Sequence, residues 1–221
     1  HLTGACAQGH VDIGDDAGND ERAAKATDFV VADANPQGLR PSVETSVHAV
    51  LPQAVVLHIH CVETVAQVAR ADARDAIAAR LDGLDGIVWS YVPYVKPGLP
   101  LAREIDAVSP AGTNVVLLGN HGLIVAAETV AEAVALIERV GTALAVPVRP
   151  APAADIAALE ALAEGSPYRL PTDPAAHATA TDPARLAIAA RGTLYPDHVV
   201  FLGSGTAVLA EGDTPSAVAE R

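Results

Sequence analysis

Residues 40–61 read RPSVETSVHAVLPQAVVLHIHC, and the rest of the chain is interpreted around them. The second half of this stretch is an apolar run that ends in His58-Ile59-His60, and such a run predicts a buried strand over residues 54–60. Successive side chains of a strand point to opposite faces, so His58 and His60 are expected on the same side. Two imidazoles that face one way at a strand end favour a metal site.

The first half of the stretch predicts a short helix. Ser42 follows a proline and is a suitable N-cap, apolar residues recur at helical spacing, and Pro52 ends the pattern. Glu44 and His48 are four residues apart and therefore share one helix face. Taken alone, this pair is typical of an ordinary exposed contact.

A second group of polar residues follows another apolar run further along the chain. Residues 115–118 predict a buried strand, and the turn Gly119-Asn120-His121-Gly122 comes directly after it. His121 is therefore a candidate third ligand. Further helices are predicted at residues 62–70, 72–81, 99–108 and 128–145, and further strands at residues 27–32, 87–95 and 123–126. The buried stripe of the long helix is predicted to be Val130, Val134, Ile137, Val140 and Leu144.

The proposed domain division places a metal-binding domain at residues 1–145, of which residues 1–40 have no clear pattern. Residues 146–153 (VPVRPAPA) are typical of a linker. Residues 154–221 predict a small α+β extension that packs on the same domain or continues it. Its helices are expected at residues 154–164 and 183–191, and a strand pair at residues 198–202 and 207–210.

Composition excludes several classes of protein. The 221 residues are 50% hydrophobic and 19% charged, which indicates a globular chain with a substantial core. The net charge of −13 argues against a nucleic-acid partner, because binding to phosphate backbones requires clustered Lys and Arg. No apolar run is long enough to span a bilayer, so no membrane association is expected.

Cysteine usage and the first residue bear on the compartment and on processing. Cys6 and Cys61 are too few for a disulfide framework, which favours a reducing cytoplasm. The chain begins at His1 and contains no Met, which indicates a processed or incompletely recorded chain.

Together these motifs resemble the class II aldolase/adducin family, and in particular its rhamnulose-phosphate-aldolase-like bacterial members. The resemblance is carried by Ser42 and Glu44, the His-x-His strand end and the Asn-His-Gly turn, and more loosely by LYPDHVVFLG near residue 200. Such members are often fused to a short-chain dehydrogenase domain. No Rossmann fingerprint is present in this sequence.

The resemblance implies a three-layer α/β fold with a central, mainly antiparallel sheet flanked by helices. It implies that His58, His60 and His121 bind Zn²⁺ or another divalent metal and that Glu44 is catalytic. It extends to four candidate substrate-binding residues, Ser42, His48, Tyr94 and Asn120. It also implies a homo-oligomer, with a tetramer favoured.

The implied activity is that of a metal-dependent lyase. A sugar or sugar phosphate would undergo retro-aldol C–C cleavage through a metal-stabilised enediolate, with Glu44 moving the proton. Epimerases, dehydratases and decarboxylases that act on sugar acids use the same metal-stabilised enediolate chemistry and remain alternatives. A non-catalytic module like the adducin head is a further alternative, although such heads are expected to lack the metal ligands.

Overall fold

The computed structural model describes residues 30–209 and Thr214. Its four strands are β1 Val55–Ile59, β2 Trp89–Val92, β3 Val115–Leu118 and β4 Gly122–Ala127. The helices up to the end of the sheet-containing part are α1 Thr45–Ala49, α2 Val62–Val68, α3 Ala73–Leu81, α4 Leu99–Val108 and α5 Val130–Leu144, preceded by a 3-10 turn at Ala32–Ala34. None of the helices in the described residues has the length and apolar character that crossing a bilayer requires.

The sheet has the strand order β1-β4-β3-β2. β4 runs antiparallel to both of its neighbours, whereas β2 and β3 are parallel. The β1–β4 register pairs His58 with Ile124, and the β3–β4 register pairs Leu118 with Gly122. The prediction of a mainly antiparallel sheet is therefore confirmed.

Helices cover both faces of this sheet. Every residue of β3 and β4 is buried, which requires cover on both sides. Odd-numbered positions such as Leu117 and Leu123 pack with α2, α3 and α5, and even-numbered positions such as Leu118 and Ile124 pack with α1 and α4. The predicted three-layer α/β architecture is confirmed.

The long helix α5 begins where the sequence indicates but turns a different face to the core. Thr129 and Glu132 form a capping box at its start. Its buried residues are Ala133, Leu136, Val140 and Leu144, while Val130 and Val134 are 62% and 43% exposed. The prediction was wrong for these two valines because two apolar stripes, both at helical spacing, converge on Val140 and Leu144.

The amino-terminal predictions are corrected in two places. Val30 and Val31 have no regular structure, so a strand is wrong there; residues 27–29 lie outside the described residues. Helix α1 is a single short helix whose N-cap is Glu44 rather than Ser42. The Ser42 hydroxyl instead accepts a hydrogen bond from the Glu44 amide at 3.2 Å, in the local turn that precedes the helix.

The chain divides into two compact units, His1–Val146 and Pro147–Arg221. In the described part of the second unit the α-helices are α6 Ile156–Ala163, α7 Ala178–Thr181, α8 Pro183–Ala189 and α9 Pro196–Leu202. The predicted strand at residues 198–202 is wrong, because Pro196 at the first turn favours the helix that contains them. Residues 207–209 have no regular structure, and residue 210 lies outside the described residues.

Candidate metal centre

Three imidazole rings meet at one end of the sheet. His58 and His60 come from the end of β1, and His121 comes from the turn between β3 and β4. The Nε2 atom of His58 lies 3.1 Å from Nε2 of His60 and 3.2 Å from Nε2 of His121. The three ligand atoms all lie within 4.8 Å of one another, so the structure brings together the residues that the sequence singled out.

The turn after β3 places His121 against the β1 histidines. Asn120 has a left-handed backbone with φ of 48°, which asparagine tolerates better than most residues. The His121 amide donates to the Leu118 carbonyl at 3.1 Å and closes the turn. At Gly122 a Cβ atom would lie 2.6 Å from the Ile59 carbonyl oxygen, so the two strands approach this closely only because the residue is glycine.

The tautomer of His58 is fixed by the main chain. Its Nδ1 lies 3.0 Å from the Leu123 carbonyl oxygen, which can only accept, so Nδ1 carries the proton. Nε2 of His58 therefore presents a lone pair towards the other two rings. A backbone acceptor behind a ligand imidazole is the usual arrangement at protein metal sites.

The geometry fits a divalent cation among the three nitrogens. One lone pair on His58 Nε2 faces two other ring nitrogens at hydrogen-bond distance, and it cannot accept well from both. Tetrahedral Zn²⁺ with Zn–N bonds of about 2.0–2.1 Å separates its nitrogen ligands by roughly 3.3 Å. The observed Nε2 separations are close to that value, so the donor set suits such an ion.

Burial keeps the His58 ring suited to ligation. Burial lowers the pKa of His58 to about 4, against the opposing effect of Glu44, so the ring is neutral near pH 7. His121 is almost completely buried. Its Nδ1 has no hydrogen-bond partner within residues 30–209 and Thr214. Neutral imidazoles are the form that binds metal ions.

Glu44 directs its carboxylate at the same cluster. Oε1 lies 3.0 Å from Nε2 of His121, and Oε2 lies 3.7 Å from Nε2 of His58. The adjacent His121 imidazole lowers the pKa of Glu44, and this effect outweighs the opposing effect of burial. An ionised carboxylate thus adjoins three ligand nitrogens, which is an arrangement able to move protons beside a bound metal.

Two further candidates lie on or before α1. His48 has its Nδ1 3.2 Å from the Val56 carbonyl oxygen, and its ring centroid is 6.3 Å from that of His58. Ser42 is exposed and contacts the Glu44 amide, as described above. Both residues therefore adjoin the groups that form the cluster.

Of the remaining candidates, Asn120 lies in the turn after β3 and Tyr94 lies beside it. Tyr94 follows β2, and its side chain is 61% exposed. Its amide nitrogen would be 2.8 Å from a Cβ atom on Gly119, so the segment after β2 lies against the Asn-His-Gly turn. Sequence reasoning missed the roles of Gly122 and the Leu123 carbonyl. The glycine of the Asn-His-Gly motif was the available signal, whereas a carbonyl is common to every residue.

Comparison with known proteins gives a family and two relatives. The family model described as "Class II Aldolase and Adducin N-terminal domain" matches residues 15–148. The chain is 37% identical over 92 residues to the "Uncharacterized oxidoreductase YuxG" of Bacillus subtilis (strain 168), an alignment that covers 41% of this chain and 13% of that protein. The chain thus spans only a small part of that relative's length.

A solved structure also matches, with a TM-score of 0.47 and 27% sequence identity over 55% of each chain. It is described as the "Structure of the N-terminal Class II Aldolase domain of a conserved protein from Thermoplasma acidophilum".

Proposed function

The chain belongs to the class II aldolase and adducin N-terminal domain family, and we propose that it is a metal-dependent lyase that cleaves a C–C bond of a sugar or sugar phosphate. One observation carries the proposal. Three imidazole Nε2 atoms converge, and the Glu44 carboxylate stands 3.0 Å from one of them. A purely interacting domain has no need of such an arrangement, which disfavours a module like the adducin head.

His58, His60 and His121 would hold the ion, with Zn²⁺ favoured and other divalent metals possible in its place. When bound, such an ion supplies Lewis-acid polarisation of a substrate carbonyl. The protein's own contribution begins with orientation. The Leu123 carbonyl holds the His58 ring, and the backbone of the turn holds His121, so the two Nε2 atoms already face each other.

Glu44 is assigned the proton transfer. Retro-aldol cleavage removes a proton from a substrate hydroxyl and adds one to the carbon that loses its neighbour. In cleavage water would accept the hydroxyl proton, and Glu44, after taking up a proton from water, would donate it to that carbon; in condensation the Glu44 carboxylate would remove that proton. Its lowered pKa keeps it ionised in the metal-free protein, which suits the base role.

The substrate is proposed to be a small carbohydrate held partly by polar groups around the cluster. Ser42 uses its oxygen to accept from the Glu44 amide, and the hydroxyl proton remains able to donate to a substrate oxygen. Asn120 lies in the turn that carries His121 and Tyr94 lies beside that turn, and both are proposed as further contacts. We also propose, on the basis of the sequence, that the protein is a cytoplasmic homo-oligomer, with a tetramer favoured. The division into residues 1–145, 146–153 and 154–221 is proposed on the same basis.

The test is a turnover assay on a panel of substrates with the metal-loaded protein. Ketose phosphates, free ketoses and sugar acids would be supplied, and aldehyde release would be followed together with epimer, dehydration product and CO₂. Metal-dependent aldehyde release from one member, abolished by a chelator, is the expected result. Formation of an epimer, a dehydration product or CO₂ in its place would assign the corresponding alternative chemistry to the same residues.

A further inference from the structure

Helix α1 carries Glu44 at its start and His48 in its last turn. It has only five residues, and an isolated helix of that length is unstable in water. The position of the Glu44 carboxylate against His121 therefore depends on what holds α1 to the rest of the fold.

Contacts of two kinds, apolar packing and a hydrogen bond, hold this helix. Val47 is completely buried in the cluster formed by α1, α4 and one face of the sheet. His48 reaches β1, where its Nδ1 lies 3.2 Å from the Val56 carbonyl oxygen. A carbonyl can only accept, so His48 Nδ1 is the donor and its tautomer is fixed. Leu51 is also buried in this cluster and Val50 packs against it, so the apolar packing extends past the end of the helix. Apolar packing is not directional, whereas the hydrogen bond of His48 is directional and fixes the rotation of the helix about its axis.

The hydrogen-bonded carbonyl belongs to the strand that supplies two of the ring nitrogens. Val56 precedes His58 by two residues, so both lie on the same side of β1. The His48 and His58 rings stand nearly perpendicular, at an interplanar angle of 78°. His48 thus contacts the same short length of β1 that positions His58.

We propose that His48 is a positioning residue: its Nδ1–H hydrogen bond to the Val56 carbonyl fixes α1, and with it the Glu44 carboxylate, against the three imidazoles. This assignment replaces the expectation that His48 binds substrate. It rests on the proposed function only for the chemical task of Glu44, since the placement of that carboxylate is a property of the metal-free protein.

Two substitutions distinguish the role of Nδ1 from the role of Nε2 in the His48 ring. In His48→Asn the side-chain amide stands near the place of Nδ1 and retains a donor for Val56. In His48→Gln the amide reaches towards the place of Nε2 and loses that donor. His48→Ala removes both, and Ser46→Ala on the same helix is the matched control.

The first measurement needs neither metal nor substrate. In metal-free protein labelled with ¹⁵N at histidine, the His121 Nε2 resonance reports its contact with the Glu44 carboxylate. His48→Asn and Ser46→Ala are expected to keep the wild-type resonance, and His48→Gln and His48→Ala to shift it towards that of Glu44→Gln. Thermal unfolding of each variant confirms that the fold is retained.

The second measurement is steady-state turnover of whichever substrate the wild type cleaves. Loss of a supporting contact behind a metal site typically costs about 10–100-fold. His48→Gln and His48→Ala should lose kcat by that factor with little change in KM, and His48→Asn should restore it.

Two results would overturn the inference. One is a wild-type His121 resonance in all three His48 variants. The other is a wild-type His121 resonance in His48→Gln together with a shifted resonance in His48→Asn. The second pattern would make Nε2 the working atom and return His48 to substrate binding. Failure of the proposed function can be distinguished from failure of this inference. If only the proposed function is wrong, the wild type cleaves no substrate, but the His121 resonances of the variants still follow the expected pattern.

Discussion

Gly122 lies so close to His60 that a Cβ atom on Gly122 would stand 2.6 Å from Cδ2 of the His60 ring. Real Cβ atoms do not approach other atoms this closely, so any side chain here must displace the ring or the strand. The glycine of the Asn-His-Gly motif is therefore part of the candidate metal centre, although it supplies no ligand atom.

Gly122→Ala is accordingly expected to damage the centre more than the fold. Overpacking of this kind costs about 1–3 kcal/mol in the free energy of unfolding, and the displaced ring should weaken Zn²⁺ binding by roughly 10-fold or more. Calorimetric titration with Zn²⁺ and thermal unfolding would measure both effects. Gly141→Ala is the control, because a Cβ atom there meets open space within α5. Equal Zn²⁺ affinities in the two variants would contradict the role given to Gly122.

Removal of one ligand imidazole should abolish tight metal binding. His58→Ala leaves two of the three converging nitrogens, and the free energy of unfolding should no longer rise when Zn²⁺ is added. In the wild type, free Zn²⁺ at 100 times its dissociation constant adds about 2.7 kcal/mol. Elemental analysis and melting curves with and without Zn²⁺ would check this, with His177→Ala as a control histidine in the second compact unit. A wild-type metal response in His58→Ala would place the ion elsewhere.

Glu44→Gln should separate metal binding from turnover. The amide retains the shape of the side chain but cannot exchange a proton, so kcat is expected to fall by about 10²–10⁴-fold while the three imidazoles still bind metal. Steady-state kinetics beside metal stoichiometry would measure both quantities. If turnover survives at the wild-type rate, the proton transfer belongs to another group.

Asp182 predicts a pH dependence in the second compact unit. Burial of Asp182 raises its pKa, but hydrogen bonds from the Arg185 and Ala184 amides and from the Arg149 guanidinium outweigh this and lower it. A carboxyl whose folded pKa is lowered stabilises the fold above its ordinary pKa of about 4, and this contribution is lost as the pH falls through the folded value.

The melting temperature of Asp182→Asn should therefore lie below that of the wild type at neutral pH, and the two should converge in strong acid. Asp155→Asn is the comparison, because Asp155 caps α6 through the Ala158 amide and has no arginine bonded to it in the described contacts. A difference between Asp182→Asn and the wild type that is independent of pH would contradict the assignment.

The sequence predicted the sheet well where apolar runs end in turn residues. The run before His58 and the run before Gly119 are strands, and the alternation of side chains placed His58 and His60 on one side as expected. The family relationship supplied the layer arrangement, because periodicity alone does not order strands within a sheet.

Other features carried no readable signal. In α5 both apolar stripes fit a helix, and only packing against the sheet decides between Val134 and Leu136. In α9 the valines favoured a strand, but Pro196 and the local backbone favour a helix. His48 and His58 donate to the backbone carbonyls of Val56 and Leu123. Every residue type has such a carbonyl, so the sequence does not indicate these contacts.

Because β1 carries two of the candidate ligands, its position in the sheet couples metal binding to the stability of the strand. β1 is at the edge of the described sheet, where β4 is the one strand that pairs with it. Fraying of this strand would carry His58 and His60 away together, so loss of metal and opening of the edge are coupled events. A bound ion would crosslink the end of β1 to the turn between β3 and β4. Amide hydrogen exchange along residues 55–59 should therefore slow when Zn²⁺ is added, and the rate at which the protein releases its metal would be limited by how often that edge opens.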